Sequence, residues 1–427
     1  MTFESSFCSS PWFHMRINNV GDYEYCRWAN FEHRDTNINI KDCTPQQYFQ
    51  KHMSPIRQQM LNGDAVPGCQ ECAQMEQHGK ISGRQRQLLK IGVRTEQFAK
   101  TLASSPWVSE FASNLNGDTQ QLPQDWQIDL GNYCNSACVM CNPRSSSKIA
   151  TEFFKLGIVD AIPAPSWCND PALVDQFIDT LIKSPHIQYL HFIGGETLIT
   201  PAFRHILQAL VDSRLSETLT VGFTTNLTVW DLDIIELLKH FAGVHLGMSV
   251  ECFHSVNDYV RWPSQLEQVQ SITAQWLDIV HSTPSWLVQL RTTPTILTIS
   301  QLLSVYDFAW QHNITVESCN FITNPAHLKP AVLPILYRNK IIKEMKFWLE
   351  QHPAAGDIVT NIRNPKFIQT QITQDLQSYI NYLETVPDES DRLPDLVHYL
   401  KLLEGNRGNS VLTYLPEYEE LFRTAGY

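Results

Sequence analysis

The chain has 427 residues, 43% of them hydrophobic, enough for one large buried core with a smaller companion domain. It carries 32 Lys and Arg against 44 Asp and Glu, a formal charge of -12. That balance argues against a general binder of nucleic-acid backbones, which needs clustered cations to release counterions. Residues 1–8 show no charged n-region or apolar h-region, and no later run approaches the roughly 18 apolar residues of a membrane span, so a cytoplasmic location is expected.

Eleven cysteines in such a chain are expected to stay reduced, and clustered ones are better metal ligands than disulfide partners. The first group is Cys8, Cys26, Cys69 and Cys72, with Gly21 between the first two. A strand over 12–17, a polar turn over 18–21 and a return strand over 23–26 predict a hairpin that brings Cys8 and Cys26 together. Cys69 and Cys72 form a Cys-x-x-Cys half that completes four thiolates. Tetrahedral zinc remains open from this spacing alone. Cys43 is a spare thiol in the intervening segment, and His78 stands beyond the Cys-x-x-Cys pair. Cys168, Cys252 and Cys319 stand apart and read as small buried hydrophobes. Residues 75–125, with Glu76, Gly79, Ser82, Arg84 and then Ser104 to Pro106, read as a bridge without evident chemistry.

From residue 126 onward, short apolar runs at 126–130, 188–193, 219–225, 244–250, 287–296 and 315–321 alternate with amphipathic stretches near 172–183, 203–211 and 231–241. This pattern predicts parallel strands joined by helical crossovers. Six such units are too few for a closed eight-stranded barrel, so the expected fold is α/β, a partial (β/α)6 TIM-like barrel. Chemistry in barrels lies at the carboxyl ends of strands. Cys134, Cys138 and Cys141 follow the first strand, Gly194, Gly195 and Glu196 the second, Thr225 and Asn226 end the third, and Ser249 and Glu251 the fourth.

Cys134, Cys138 and Cys141 are spaced CxxxCxxC. Three thiolates on one loop can hold three irons of a four-iron cluster and leave the fourth open. On this motif the chain resembles the radical S-adenosylmethionine superfamily. The resemblance implies a 4Fe-4S cluster whose open iron chelates S-adenosylmethionine, and an electron that cleaves the sulfonium to a 5'-deoxyadenosyl radical. That radical abstracts hydrogen from a peptide or small-metabolite substrate.

Two departures from the family pattern are visible. Met140 replaces the aromatic common before the last cysteine, where the adenine contact is largely main-chain, and Thr197 replaces the proline of Gly-Gly-Glu-Pro. The resemblance also implies that Gly194, Gly195 and Glu196 meet the methionine moiety, that Ser249 and Glu251 meet the ribose, and that Asn226 serves likewise. A flavodoxin or ferredoxin is the implied electron donor. Arg261, in the loop Tyr259 to Pro263, reads as a clamp for a substrate carboxylate or as a surface ion pair.

The first cysteine group resembles the twitch and SPASM auxiliary-cluster modules, with two differences: it precedes the barrel, and the SPASM set would continue with further cysteines. A twitch-like auxiliary 4Fe-4S cluster on Cys8, Cys26, Cys69 and Cys72 is therefore implied. The expected organisation is an auxiliary-cluster module and bridge over 1–125, the barrel over 126–323 and a helical extension over 324–427. The helical stripes over 335–404 are expected to face a core. The alternatives are a nonenzymatic iron-sulfur or electron-carrying protein and a zinc-stabilised nucleic-acid binder, the latter disfavoured by charge.

Overall fold

Alternating polar and apolar residues direct one face of each strand toward helices and the other toward a polar interior. The computed structural model describes residues 6–29, 35–77, 82–90, 112–113, 115–117, 123–318, 322, 324–353 and 364–427. Its strands are β1 (His14–Ile17), β2 (Asp22–Glu24), β3 (Asp35–Asn39), β4 (Asp125–Asp129), β5 (Tyr189–Ile193), β6 (Thr220–Thr225), β7 (Gly243–Ser249), β8 (Trp286–Arg291) and β9 (Thr315–Glu317). They form one sheet in the order β3-β2-β1-β4-β5-β6-β7-β8-β9. β4 pairs with β5, β5 with β6 and β8 with β9 in parallel. Strands β4 to β9, with helices between them, are the expected partial (β/α)6 architecture.

The chain divides into two compact units, one of residues 1–133, 164–223 and 231–245, the other of residues 134–163, 224–230 and 246–427. In the first, Trp126 and Ile128 of β4, Leu190 and Phe192 of β5, and Val221 and Phe223 of β6 are buried on the helix-facing side. Phe203, from the helix Pro201–Asp212, packs between Phe192 and Phe223 at 5.2 and 5.5 Å between ring centres. Phe177, from the helix Pro171–Ile182, meets Trp167 edge-on at 5.2 Å. Burying each such side chain stabilises the fold by about 1.5–3 kcal/mol. The helix Pro171–Ile182 begins where expected because the Asp170 side chain accepts from Ala172 N and Leu173 N, and Pro171 occupies the first turn.

The N-terminal hairpin forms from β1 and β2, antiparallel with Ile17 opposite Tyr23. Asn18 Oδ1 accepts from Val20 N and Asp22 N, and Gly21 takes φ +95°. β1 is shorter than the predicted strand because Pro11 starts a helical turn over Ser10–Phe13. Its other edge pairs in parallel with β4, from His14 opposite Asp125 to Ile17 opposite Ile128. The hairpin thus extends the parallel sheet.

In the second unit, the fifth predicted strand stops at Arg291 rather than 296. Pro294 has no N–H for a ladder, and Thr295 turns the chain by accepting from Leu297 N while its own N–H donates to Thr298 Oγ1. β9 ends at Glu317, and residues 319–321 of the predicted sixth strand lie outside the described residues, as do His78, Gly79, residues 104–106 and Cys319. The expected helical extension is present as Ile335–Gln351, Pro365–Thr385 and Leu393–Arg407, with Ile342, Met345, Trp348, Tyr379, Ile380, Tyr382 and Leu383 buried. Phe347 is the exception, exposed on its helix. Among the described residues, no helix is long and apolar enough to cross a membrane.

Replacing Gly21 with Ala places a side chain at positive φ, 3.2 Å from both Asn39 Nδ2 and Trp167 Cβ. Urea unfolding should show a loss of about 1–3 kcal/mol; an unchanged midpoint would contradict this account of the turn.

Candidate functional site

The loop after β4 carries Cys134, Cys138 and Cys141 as partly buried thiols. Between them, Ala137 and Val139 are buried, and their main-chain groups are fully engaged. Ala137 N donates to Trp262 O and Val139 N to Val260 O, both at 2.7 Å. Ala137 O accepts from Arg407 Nη2 at 2.8 Å, and Val139 O from the Tyr399 hydroxyl at 2.7 Å. Cys134 N donates to Ser147 Oγ, and Ser136 N points at Cys134 Sγ at 3.4 Å. Ser146 caps the following helix, Ser147–Lys155, while its hydroxyl donates to Ser136 O. Asn226, just beyond β6, donates to Asn135 Oδ1 at 2.8 Å and Ser136 Oγ at 3.0 Å, so its amide braces the same loop.

Two cations lie by this loop, Arg407 with its side chain buried and Arg261 partly buried. Arg407 pairs with Glu152, their side chains 1% and 5% exposed, and lies 5.2 Å from the Trp262 ring. Arg261 pairs with Glu251 in the interior, at 2.6 Å from Nη2 to Oε1, so it is no surface ion pair. Glu251 Oε2 also accepts from Thr292 Oγ1 and Thr293 N, so both of its oxygens have protein donors. Burial pushes the Cys138 thiol above its ordinary pKa, while Arg261 and Arg407 draw it back. Burial and the neighbouring Cys138 and Cys134 thiols raise Cys141. Met140 is half-buried on the loop, and Ser249 is half-buried at the last position of β7. Cys252 is buried, and burial raises its thiol to about 12; Cys168 is half-buried with Sγ 2.6 Å from Leu130 O.

In the first unit, Gly194 and Gly195 follow β5 at φ +105° and +49°. A Cβ on Gly195 would be driven into the Tyr133 carbonyl, and one on Gly194 into Asp129 Oδ1 and the Gly131 carbonyl. The glycines are needed because the segment leading to the first cysteine runs against them. Glu196 is buried, donates its N–H to Tyr133 O at 2.9 Å, and caps the turn Thr197–Ile199 through Leu198 N.

Also in this unit, Cys8, Cys26, Cys69 and Cys72 lie within mutual electrostatic reach. Burial raises Cys8 first, followed by Cys26, with Cys72 and Cys69 adding to it. Burial followed by Cys26 pushes Cys69 and Cys72 each up to about 12. Ser10 N points at Cys8 Sγ and Trp28 N at Cys26 Sγ, each at 3.4 Å. Cys43 is partly buried, and its carbonyl accepts from the Tyr23 hydroxyl. Among the described residues, no three His, Cys, Asp or Glu side chains are set around a single metal-ion position. The short spacing of the cysteines marks the thiols; Arg407, Tyr399 and Glu152 carry no local signal, since their partners are distant in sequence.

The sequence model described as the Radical SAM superfamily matches residues 128–274. No curated protein matches the chain. Among solved structures, it is similar to Streptococcus suis SuiB bound to S-adenosylmethionine, at 13% identity over 54% of this chain and 45% of that one, with a TM-score of 0.33. It is also similar to SuiB bound to the precursor peptide SuiA, at 11% identity over 66% and 60% with a TM-score of 0.38. TYW1 with a lysine-pyruvate adduct bound gives 11% identity over 52% and 71%, with a TM-score of 0.30. The chain spans less than two thirds of the length of these SuiB structures.

Arg407→Met should strand the Glu152 carboxylate and the Ala137 carbonyl, costing about 3–5 kcal/mol in denaturant unfolding; a cost within 1 kcal/mol, roughly that of an exposed pair, would refute the clamp. Gly195→Ala should cost at least about 1–3 kcal/mol by the same measurement, and wild-type stability would show that the two loops have room to part.

Proposed function

We propose that this chain, a radical SAM superfamily enzyme by its residues 128–274, abstracts hydrogen from a peptide or small-metabolite substrate and carries a second iron-sulfur centre at its amino end. The family implies a 4Fe-4S cluster and S-adenosylmethionine. The donor set suits the cluster: three partly buried thiols on one braced loop, with two cations in electrostatic reach of Cys138. The observation that carries the reading is the CxxxCxxC loop lying inside the matched region. When bound, the cluster and S-adenosylmethionine supply a 5'-deoxyadenosyl radical as the hydrogen-abstracting species.

The protein's own contribution is positional. Cys134, Cys138 and Cys141 would hold three irons, and the four hydrogen bonds at Ala137 and Val139 fix the main chain between them. Arg261 and Arg407 offset the thiolate charge that the loop must keep buried. Gly194, Gly195 and Glu196 would present main-chain groups to the methionine moiety, Met140 would lie near the adenine, and Ser249 near the ribose. Glu251 acts through Arg261 and the Thr292–Thr293 turn, and Asn226 through Asn135 and Ser136.

Cys8, Cys26, Cys69 and Cys72 would hold the auxiliary 4Fe-4S cluster, which suits removal of an electron from a substrate radical. A flavodoxin or ferredoxin would supply the reducing electron to the barrel cluster. The mutual effect of the four thiols on one another supports their acting as one ligand set.

Anaerobically reconstituted wild type should contain iron and sulfide for two clusters and release 5'-deoxyadenosine from S-adenosylmethionine under reduction. The Cys134→Ala, Cys138→Ala, Cys141→Ala variant should lose one cluster and all 5'-deoxyadenosine. Wild type that holds iron and sulfide yet never yields 5'-deoxyadenosine would favour a nonenzymatic iron-sulfur protein. Zinc in place of iron would overturn the proposal entirely.

A further inference from the structure

The amino-terminal thiols have a buried cation of their own. The helix Gln70–Gln77 carries Cys72 and, one turn later, Glu76; the helix Gly83–Lys90 supplies Arg84, which is 6% exposed. Arg84 Nε donates to Glu76 Oε1 at 3.0 Å and Nη2 to Oε2, a two-pronged pair that the Ser82 hydroxyl joins at Oε1. Arg84 Nη1 reaches the Phe7 carbonyl at 3.3 Å, one residue before Cys8. The guanidinium therefore ties the Cys8 segment to the helix that bears Cys72. Its charge lies within electrostatic reach of Cys69 and Cys72.

We propose that Arg84 is the positioning cation of the four-thiol centre, clamping its two halves and favouring the reduced state of an iron-sulfur cluster held there. This rests on the auxiliary-cluster reading above. Four thiolates in a dry site carry a net negative charge that grows on reduction, and cluster potentials follow local net charge and burial. A fixed cation stabilises the more negative state. Glu76 holds the guanidinium in place and opposes part of its charge, so a neutral residue at 84 also leaves Glu76 uncompensated beside the thiols.

The test uses the full chain with Cys134, Cys138 and Cys141 replaced by Ala, so that any cluster signal comes from the amino-terminal centre. Iron and sulfide content and an anaerobic titration followed by electron paramagnetic resonance are measured. Arg84→Gln should load iron and sulfide as its parent does, with its reduction equilibrium shifted about tenfold toward the oxidised state, or 59 mV lower for one electron. Arg84→Lys should recover most of that shift. A loaded Arg84→Gln titrating with its parent overturns the proposal. If Arg84→Gln fails to load, Glu76→Gln decides: it keeps the cation and removes the opposing anion, so its equilibrium must move toward the reduced state, and no movement overturns the assignment. A parent without iron and sulfide at this centre would overturn the four-thiol reading itself, a result distinct from an unmoved potential.

Discussion

Ala137 and Val139 are the fixed points on which the cysteine loop depends. A loop whose alternate residues surrender both N–H and C=O to distant partners has little main-chain freedom left. The partners come from two other segments, the Val260–Trp262 stretch and the helix Leu393–Arg407. Buried main-chain groups must be paired, so the chain cannot loosen there without leaving several unsatisfied at once. The helical extension is therefore part of the cysteine loop's support, although it contributes no thiol.

Charge in this region is handled in pairs. Arg407 with Glu152 is buried and Arg261 with Glu251 largely so, and both pairs are held by further hydrogen bonds, the arrangement in which ionised groups tolerate low dielectric. Each pair leaves its cation facing thiols whose ionisation burial opposes. The amino-terminal thiols repeat the device with Arg84 and Glu76.

The strands were legible because period-two alternation is a local property: β4 to β7 begin and end within a residue of their predicted bounds. Pro294 and Pro11 shortened two others, for reasons also visible in sequence once the missing N–H is weighed. The parallel pairing of β1 with β4 was not legible, since a hairpin's sequence reports its own turn and register but not the edge it joins. CxxxCxxC marked the thiols because their spacing is short. Tyr399 and Arg407 act on residues some 260 to 270 positions away, and nothing local marks them. Spacing also offered Glu251 and Asn226 as ligand-facing groups, while the fold gives their polar atoms protein partners.

The seam between β1 and β4 joins residues more than a hundred positions apart. At a ribosomal rate of about 5–20 residues per second, the segment bearing Cys8 and Cys26 waits on the order of ten seconds before its sheet neighbour is even made. Until then the β1 edge that pairs with β4 has no partner strand. The amino-terminal edge of the sheet can therefore close only once the chain has been made as far as β4, so its order of assembly is set by the order of synthesis.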